Sequence, residues 1–152
     1  MSCSAYLDRH PAAETLTLPE GSWGEGGDHR TWLNNDTAWM WERLYDSEIE
    51  FWTLVHDNPH AANSPLGRVL AQAGRELLLM QASDWQFLIT SWSARDYAEQ
   101  RFIAHYSDFK HLVQIARHVR ERGQLEQDEW VYLASKEQQN FLFPTLERAL
   151  FA

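Results

Sequence analysis

Two tryptophans flank a glycine-rich stretch near the start of the chain, and their spacing suggests a surface that stacks on a flat ligand. Trp23 and Trp32 lie nine positions apart, and four of the seven glycines fall within residues 21–27. Glycine permits positive φ and close approach of the backbone to a ligand. Rings accompanied by short polar side chains are typical of sugar-binding surfaces, and the polar side chains here are Asp28, His29 and Asn34. The alternative is a structural loop whose tryptophans cover a helical core.

The same segment carries no pattern of catalytic groups. Glu25, Asp28 and Asp84 are the carboxylates nearest in sequence to the loop aromatics. Glycosidic chemistry needs two carboxylates about 5–10 Å apart, and proximity in sequence does not establish that separation, so solvated or capping carboxylates are the simpler interpretation. Ser22 does not stand in a Gly-x-Ser-x-Gly elbow, and the glycines are not followed by the Lys-Ser/Thr of a phosphate loop. We predict no catalytic residue in this chain.

The histidines do not form a metal-binding pattern either. Pro59 separates His56 from His60 and breaks the helix that would bring both rings to one face. Three more lie on a predicted long helix without a carboxylate or cysteine to complete a ligand set, namely His105, His111 and His118. We therefore predict no metal site and no cofactor. His29 differs because its place in the loop would let the imidazole hydrogen-bond a sugar hydroxyl.

Composition restricts the partners. The 152 residues carry a formal charge of −9, which argues against a nucleic-acid backbone or an anionic membrane. The single cysteine, Cys3, cannot form an internal disulfide, so a reducing cytoplasm is the simplest setting, with secretion without disulfides as the alternative. We expect no signal peptide and no membrane span. The eight tryptophans exceed what one small helical core requires, so some of them are expected to face a ligand or another domain.

Helical periodicity dominates from about residue 35 onward. The predicted helices are 36–57 capped by Asp36, 64–80 started by Ser64-Pro65, a short one after Ser83 or Asp84 that uses Trp92 for packing, a long one from Ser93 to Gly123, and 126–140. A shorter helix over 4–10 with Ser4 as its cap ends at Pro11. Residues 141–144 are expected to break the last helix and leave two phenylalanines in an extended tail.

These patterns predict an all-α fold, an antiparallel helical bundle with a long glycine- and tryptophan-rich N-terminal loop. By its length the chain is a single domain, residues 1–152. Within it, residues 1–34 form the arm and loop, and residues 35–152 form the bundle.

Four segments together resemble a known family. They are Ser-x-Tyr-Leu-x-x-His-Pro at 4–11, Leu-Pro-x-Gly-Ser-Trp-Gly-Glu-Gly-Gly-x-His-x-x-Trp-Leu-Asn at 18–34, Gln-Ala-Ser-Asp-Trp-Gln-Phe-Leu-Ile at 81–89, and the closing Phe-Pro at 143–144. In these segments the chain resembles the C-terminal helical domain of α-glucan branching enzymes of glycoside hydrolase family 57. The likeness extends over nearly the whole chain.

The resemblance implies a domain that packs against a seven-stranded (β/α) barrel and forms part of the active-site wall. Enzymes of the family cut an α-1,4-glucosidic bond and transfer the chain to a 6-hydroxyl. Their nucleophilic glutamate and acid/base aspartate lie on the barrel, and nothing in these residues matches those segments. The family tryptophans that reach the substrate correspond by motif position to Trp23 and Trp32, and Trp85 lies in the second shared motif.

The resemblance therefore implies an α-glucan and a catalytic barrel, in cis or in trans, as partners. On that basis we expect the chain alone to be inactive, as a fragment, a separately expressed domain or one half of a split enzyme. A free-standing glucan-binding or regulatory module, and a helical interaction protein whose aromatics only bind a partner, are the alternatives.

Overall fold

A computed structural model describes residues 1–151, and these residues form two compact units, Met1–Arg30 and a larger one from Thr31 onward. Within the described residues all regular secondary structure is helical, without a β-strand. The predicted all-α class is confirmed. The boundary predicted after residue 34 falls a few positions beyond the division between the units, and the assignment of the chain to one domain stays a prediction.

The first unit contains one short helix and an irregular loop. Helix α1 spans Cys3–Arg9. Its cap is Ser2 rather than Ser4, because the Ser2 Oγ accepts a hydrogen bond from the amide of Ala5 at 3.2 Å. The glycine-rich stretch contains a 3-10 turn at Glu25–Gly27, and a second 3-10 turn follows at His29–Thr31. The loop is therefore partly helical, although only as single turns.

The second unit is a bundle of six helices among the described residues. They are α2 Ala38–His56, α3 Pro65–Met80, α4 Asp84–Thr90, α5 Arg95–Arg122, α6 Gln127–Gln139 and α7 Leu146–Leu150. Helix α3 lies at the centre and packs against α2, α5, α6 and α7. Every residue of α3 from Val69 to Leu77 is buried, which explains why its sequence is apolar on nearly all sides.

The observed helix ends show which local sequence signals were sufficient to predict a helix boundary. The predicted start of α3 is confirmed, since Ser64 Oγ accepts from the amide of Gly67 at 3.1 Å with Pro65 at the first helical position. The predicted stop of α5 is also confirmed, because Gly123 adopts φ 78°. Helix α5 is preceded by Ala94 rather than by the predicted cap Ser93, whose hydroxyl instead lies 2.7 Å from that of Ser91.

Two further predictions were wrong in detail. Helix α2 begins after Thr37 and not after Asp36. The carbonyl of Asn34 accepts hydrogen bonds from the amides of both Thr37 and Ala38, which forms a turn before the helix. The tail after α6 is not simply extended, since α7 follows Pro144. Five residues carry too little periodicity to be recognised as a helix.

A buried polar cluster connects α3, α5 and the end of α6. The Glu76 carboxylate accepts hydrogen bonds from His105 Nδ1 at 2.8 Å, from Gln72 Nε2 at 2.9 Å and from Asn140 Nδ2 at 2.8 Å. On the other side of the imidazole, Arg101 Nη2 lies 2.8 Å from His105 Nε2. Because a guanidinium only donates, Nε2 accepts, and the donor to Glu76 is Nδ1–H.

Candidate functional site

The loop that carries Trp23 is closed by its own hydrogen bonds. The amide of Ser22 donates to the Gly27 carbonyl at 2.9 Å, and its hydroxyl donates to the Asp28 carbonyl at 2.6 Å. Gly24, Gly26 and Gly27 have φ values of 131°, 76° and 69°, which residues other than glycine rarely adopt. The indole of Trp23 is 72% exposed at the surface of this turn. The glycines thus permit a tight loop that presents a ring.

Asp28 and Arg30 fix the end of the same loop. The Asp28 carboxylate accepts from the Arg30 side chain at 2.6–2.9 Å and from the Arg30 amide at 2.9 Å. The side-chain hydrogen bond to Arg30 is the main reason that the pKa of Asp28 falls to about 2. His29, the predicted sugar contact, lies with Nε2 2.9 Å from a Glu20 carboxylate oxygen. Its role toward a sugar stays a prediction.

Trp32 belongs to the second unit, where its backbone is firmly held. Its carbonyl accepts from the Trp41 indole N–H and from the Thr37 hydroxyl, both at 2.9 Å. Its half-buried ring lies 6.3 Å from the ring of Phe87 in α4, centroid to centroid. Such a separation is within the range of aromatic pairs. Phe87 was not singled out from the sequence, although it stands inside the motif at 81–89.

The end of α4 is joined to the segment around Trp32. The Thr90 hydroxyl donates to the carbonyl of Thr31 at 2.9 Å and accepts from Asn34 Nδ2 at 2.8 Å. These bonds connect residues more than 50 positions apart, so they hold the start of the second unit against the end of α4. Asn34, which the sequence suggested as a polar group of a sugar-binding surface, therefore helps to hold this segment against α4.

Trp85 is placed differently from Trp32. Its indole N–H donates to the Leu79 carbonyl at 2.7 Å, and its ring lies 6.3 Å from Tyr97 and 6.4 Å from His105. Trp85 and Phe87 are two positions apart on α4, so they project about 200° apart around the helix. The ring of Trp85 therefore packs toward α5, on the side of α4 away from Phe87. A substrate contact by Trp85 stays a prediction.

Trp92 corrects one expectation. The sequence pattern suggested that it packs, but 71% of its surface is exposed. It follows α4 in a turn where its φ is 56°, and this backbone conformation directs the side chain away from the bundle. Periodicity cannot reveal a residue that has left the helix.

Two histidines of α5 have ordinary partners within the bundle. His111 stacks on Tyr132 at 4.2 Å, and His118 Nδ1 lies 3.1 Å from a Glu129 oxygen. No group of three His, Cys, Asp or Glu residues within 1–151 is arranged to hold a metal ion. In the same range, none of the helices has the length and apolar character needed to cross a bilayer.

Comparison with known proteins identifies the family. The family described as "1,4-alpha-glucan branching enzyme, C-terminal" matches residues 43–151. The chain is 42% identical over 119 residues to the 1,4-alpha-glucan branching enzyme of Thermococcus kodakarensis, covering 77% of this chain and 18% of that protein. It is 31% identical over 97 residues to a probable 1,4-alpha-glucan branching enzyme of Mycobacterium tuberculosis, covering 60% and 18%. The chain thus spans about a fifth of the length of these curated relatives.

Solved structures show the same relation. A GH57-type branching enzyme from Pyrococcus horikoshii superposes with a TM-score of 0.82 and 33% identity, over 100% of this chain and 28% of that one. A GH57 branching enzyme from Thermococcus kodakaraensis, solved in complex with glucose and additives, superposes with a TM-score of 0.86 and 32% identity, over 99% and 27%. The predicted helical bundle and the resemblance stated from sequence motifs are confirmed. The chain belongs to the family of C-terminal domains of 1,4-alpha-glucan branching enzymes of glycoside hydrolase family 57.

Proposed function

We propose that this domain supplies substrate-binding aromatic rings to an α-glucan branching reaction whose catalytic carboxylates lie on a separate barrel domain. The observation that carries the proposal is the loop of Trp23, in which three glycines at positive φ and two Ser22 hydrogen bonds present one largely exposed indole. A loop closed in this way holds its ring in place before a ligand arrives, which lowers the entropic cost of binding.

Stacking of Trp23 and Trp32 on glucose rings suits a transfer reaction. An indole covers the C–H face of a sugar and keeps water away from a glucosyl intermediate, so that transfer to a 6-hydroxyl competes well with hydrolysis. One of the solved relatives is described as a complex with glucose, in keeping with a glucan as ligand of this chain. Trp85 and His29 complete the proposed binding set, and the cytoplasm is the proposed location.

The catalytic barrel is the proposed protein partner. Helix α2 exposes Tyr45, Ile49 and Trp52, three residues at successive turns, and Leu78 of α3 is exposed as well. We call Tyr45, Ile49 and Trp52 the α2 apolar face. Contiguous apolar surface of this kind is typical of protein interfaces. Failure of a co-expressed catalytic barrel to associate with this chain would count against the barrel as partner.

Affinity electrophoresis through glycogen tests the sugar platform. The chain is expected to be retarded by glycogen, and Trp23→Ala and Trp32→Ala are each expected to reduce the retardation. Trp52→Ala is the matched control, because it removes another exposed indole from a surface assigned to protein contact. Unchanged retardation in both loop variants would refute the sugar platform.

A branching assay separates the accessory role from an independent enzyme. The purified chain is expected to transfer no glucan by itself, because we assign the reacting carboxylates to the barrel. Branching by the chain without any partner would overturn that assignment. A free-standing glucan-binding module remains the second candidate, since the same exposed Trp23 supports it. It would be favoured by glycogen binding together with failure to associate with a catalytic barrel.

A further inference from the structure

Trp92 occupies a strained turn between α4 and α5. Its φ of 56° lies in the left-handed region, which residues with bulky side chains rarely adopt. Residues with strained backbones of this kind tend to cluster at functional sites. The turn is held by the amide of Trp92, which donates to the Ile89 carbonyl at 3.2 Å. The indole is as exposed as that of Trp23, so the strained backbone does not serve to bury the ring.

One face of the indole is covered by a fixed cation. The guanidinium carbon of Arg95 lies 4.8 Å from the ring centroid, a cation–π arrangement. Arg95 is in turn bound by Glu99, Nε to Oε1 at 2.9 Å, and by Asp36, Nη1 to Oδ2 at 3.5 Å. A ring supported from one side by an anchored side chain is pre-oriented, and its opposite face is available for stacking.

The surroundings of Trp92 suit a sugar better than a protein. Its neighbours Ser91 and Ser93 are exposed, and their hydroxyls lie 2.7 Å apart. A protein interface would be expected to surround an anchor ring with further apolar surface, as on the α2 apolar face. A planar ring with hydroxyls and an anchored charge beside it matches the mixed character of a carbohydrate, with its apolar C–H faces and its rim of hydroxyl groups.

The position of the turn relates it to Trp32. Thr90, two residues before Trp92, is hydrogen-bonded to the carbonyl of Thr31, and Asp36 binds the arginine that supports the Trp92 ring. The segment on both sides of Trp32 is thus attached to the turn that carries Trp92. Both indoles therefore lie at the same end of the second unit.

We propose that Trp92, supported by Arg95, is an additional stacking subsite for an α-1,4-glucan chain, engaged only by chains long enough to extend beyond Trp32. This inference rests on the proposed function, since it takes the glucan at Trp32 as given. A remote subsite of this kind adds binding energy from sugar rings that do not react. It would make the domain selective for longer donor or acceptor chains.

Calorimetric titration of the 152-residue chain with maltotriose and with a long maltodextrin tests the subsite. The variant is Trp92→Gly, because glycine accepts a φ of 56° without strain and the fold is therefore retained. We expect this variant to bind the long maltodextrin about 3- to 10-fold more weakly, the effect of losing one stacked ring, with less than a twofold change for maltotriose. Trp92→Phe is expected to restore much of the long-chain affinity.

The controls distinguish this proposal from the one on which it rests. Trp32→Ala is expected to weaken binding of both ligands, whereas Trp52→Ala changes neither. Normal long-chain binding by Trp92→Gly, with binding lost in Trp32→Ala, would overturn the extra subsite and leave the proposed function intact. Equal weakening of both ligands by Trp92→Gly would also overturn it, because the subsite would not depend on length. Absence of maltodextrin binding by the unmodified chain would overturn both proposals.

Discussion

The buried pair of His105 and Glu76 gives the sharpest test of how this bundle is stabilised. His105 is 1% exposed and Glu76 is 0% exposed. Replacement His105→Ala removes the donor to the carboxylate at 2.8 Å and leaves a cavity in place of the ring. Gln72 and Asn140 still donate to Glu76, but they are neutral amides and do not replace the third bond.

The expected cost is about 3–5 kcal/mol in the free energy of unfolding. Losing a hydrogen bond to a charged group costs about 1.5–3 kcal/mol, and the cavity left by a fully buried ring adds about 2 kcal/mol. His118→Ala is the matched control, because His118 lies on the same helix and also contacts a glutamate, Glu129, but is 49% exposed. A pair whose histidine is half exposed contributes about 0–1 kcal/mol, and the Glu129 carboxylate, only 10% exposed, keeps its hydrogen bond from the Glu126 amide in the variant.

Urea denaturation followed by circular dichroism at 222 nm measures both variants. Since both replacements put alanine into α5, the change in helix propensity is similar and cancels in the comparison. Unchanged m-values would show that the midpoints report stability. A cost below about 1 kcal/mol for His105→Ala, or one no greater than that of His118→Ala, would show that the buried pair does not stabilise the bundle.

Two further predictions concern the loop and the start of α3. The pKa of Asp28 is lowered to about 2. Its contact with Arg30 should therefore stabilise the loop fully at pH values above about 3.9, the pKa of an aspartate in the unfolded chain, and this stabilisation should be lost as the pH falls through about 2. Carboxyl NMR titration should show this low pKa in the unmodified chain and a higher one in Arg30→Ala, which keeps the amide of residue 30; equal values would exclude the Arg30 side chain as the main cause. A methyl group on Gly67 would lie 2.2 Å from the Ala61 carbonyl oxygen, so Gly67→Ala should cost about 2 kcal/mol or more. Gly123→Ala, which meets only the strain of φ 78°, should cost about 1 kcal/mol, and thermal melts that rank the two variants the other way would contradict this.

Local chemistry predicted most of the bundle. The Ser64-Pro65 pair and the glycine at 123 fixed two helix ends correctly, because each acts through its own backbone and nearest neighbours. Where a residue near a predicted helix start had another hydrogen-bond partner outside the helix, the predicted start was wrong. Thr37 shows this, since its hydroxyl donates to the carbonyl of Trp32 and the helix starts one residue later than expected.

The site was partly predictable for the same reason. The exposure and loop placement of Trp23 follow from its adjacent glycines. The packing of Trp85 against α5 depends on Tyr97 and His105, residues whose proximity only the folded chain reveals. The exposure of Trp92 depends on one backbone dihedral, and the pairing of His105 with Glu76 joins positions 29 residues apart. No periodicity in the sequence indicates either of these features.

The central place of α3 has a consequence for how the domain opens. Its middle turns are covered by neighbouring helices, so their amide hydrogens cannot meet solvent unless those neighbours separate. Deuterium should therefore enter α3 last, at a rate set by unfolding of the whole second unit. Within the second unit it should enter α7 first, because that helix has no buried residue. The order of exchange would thus run from the periphery toward the one helix that all the larger ones share.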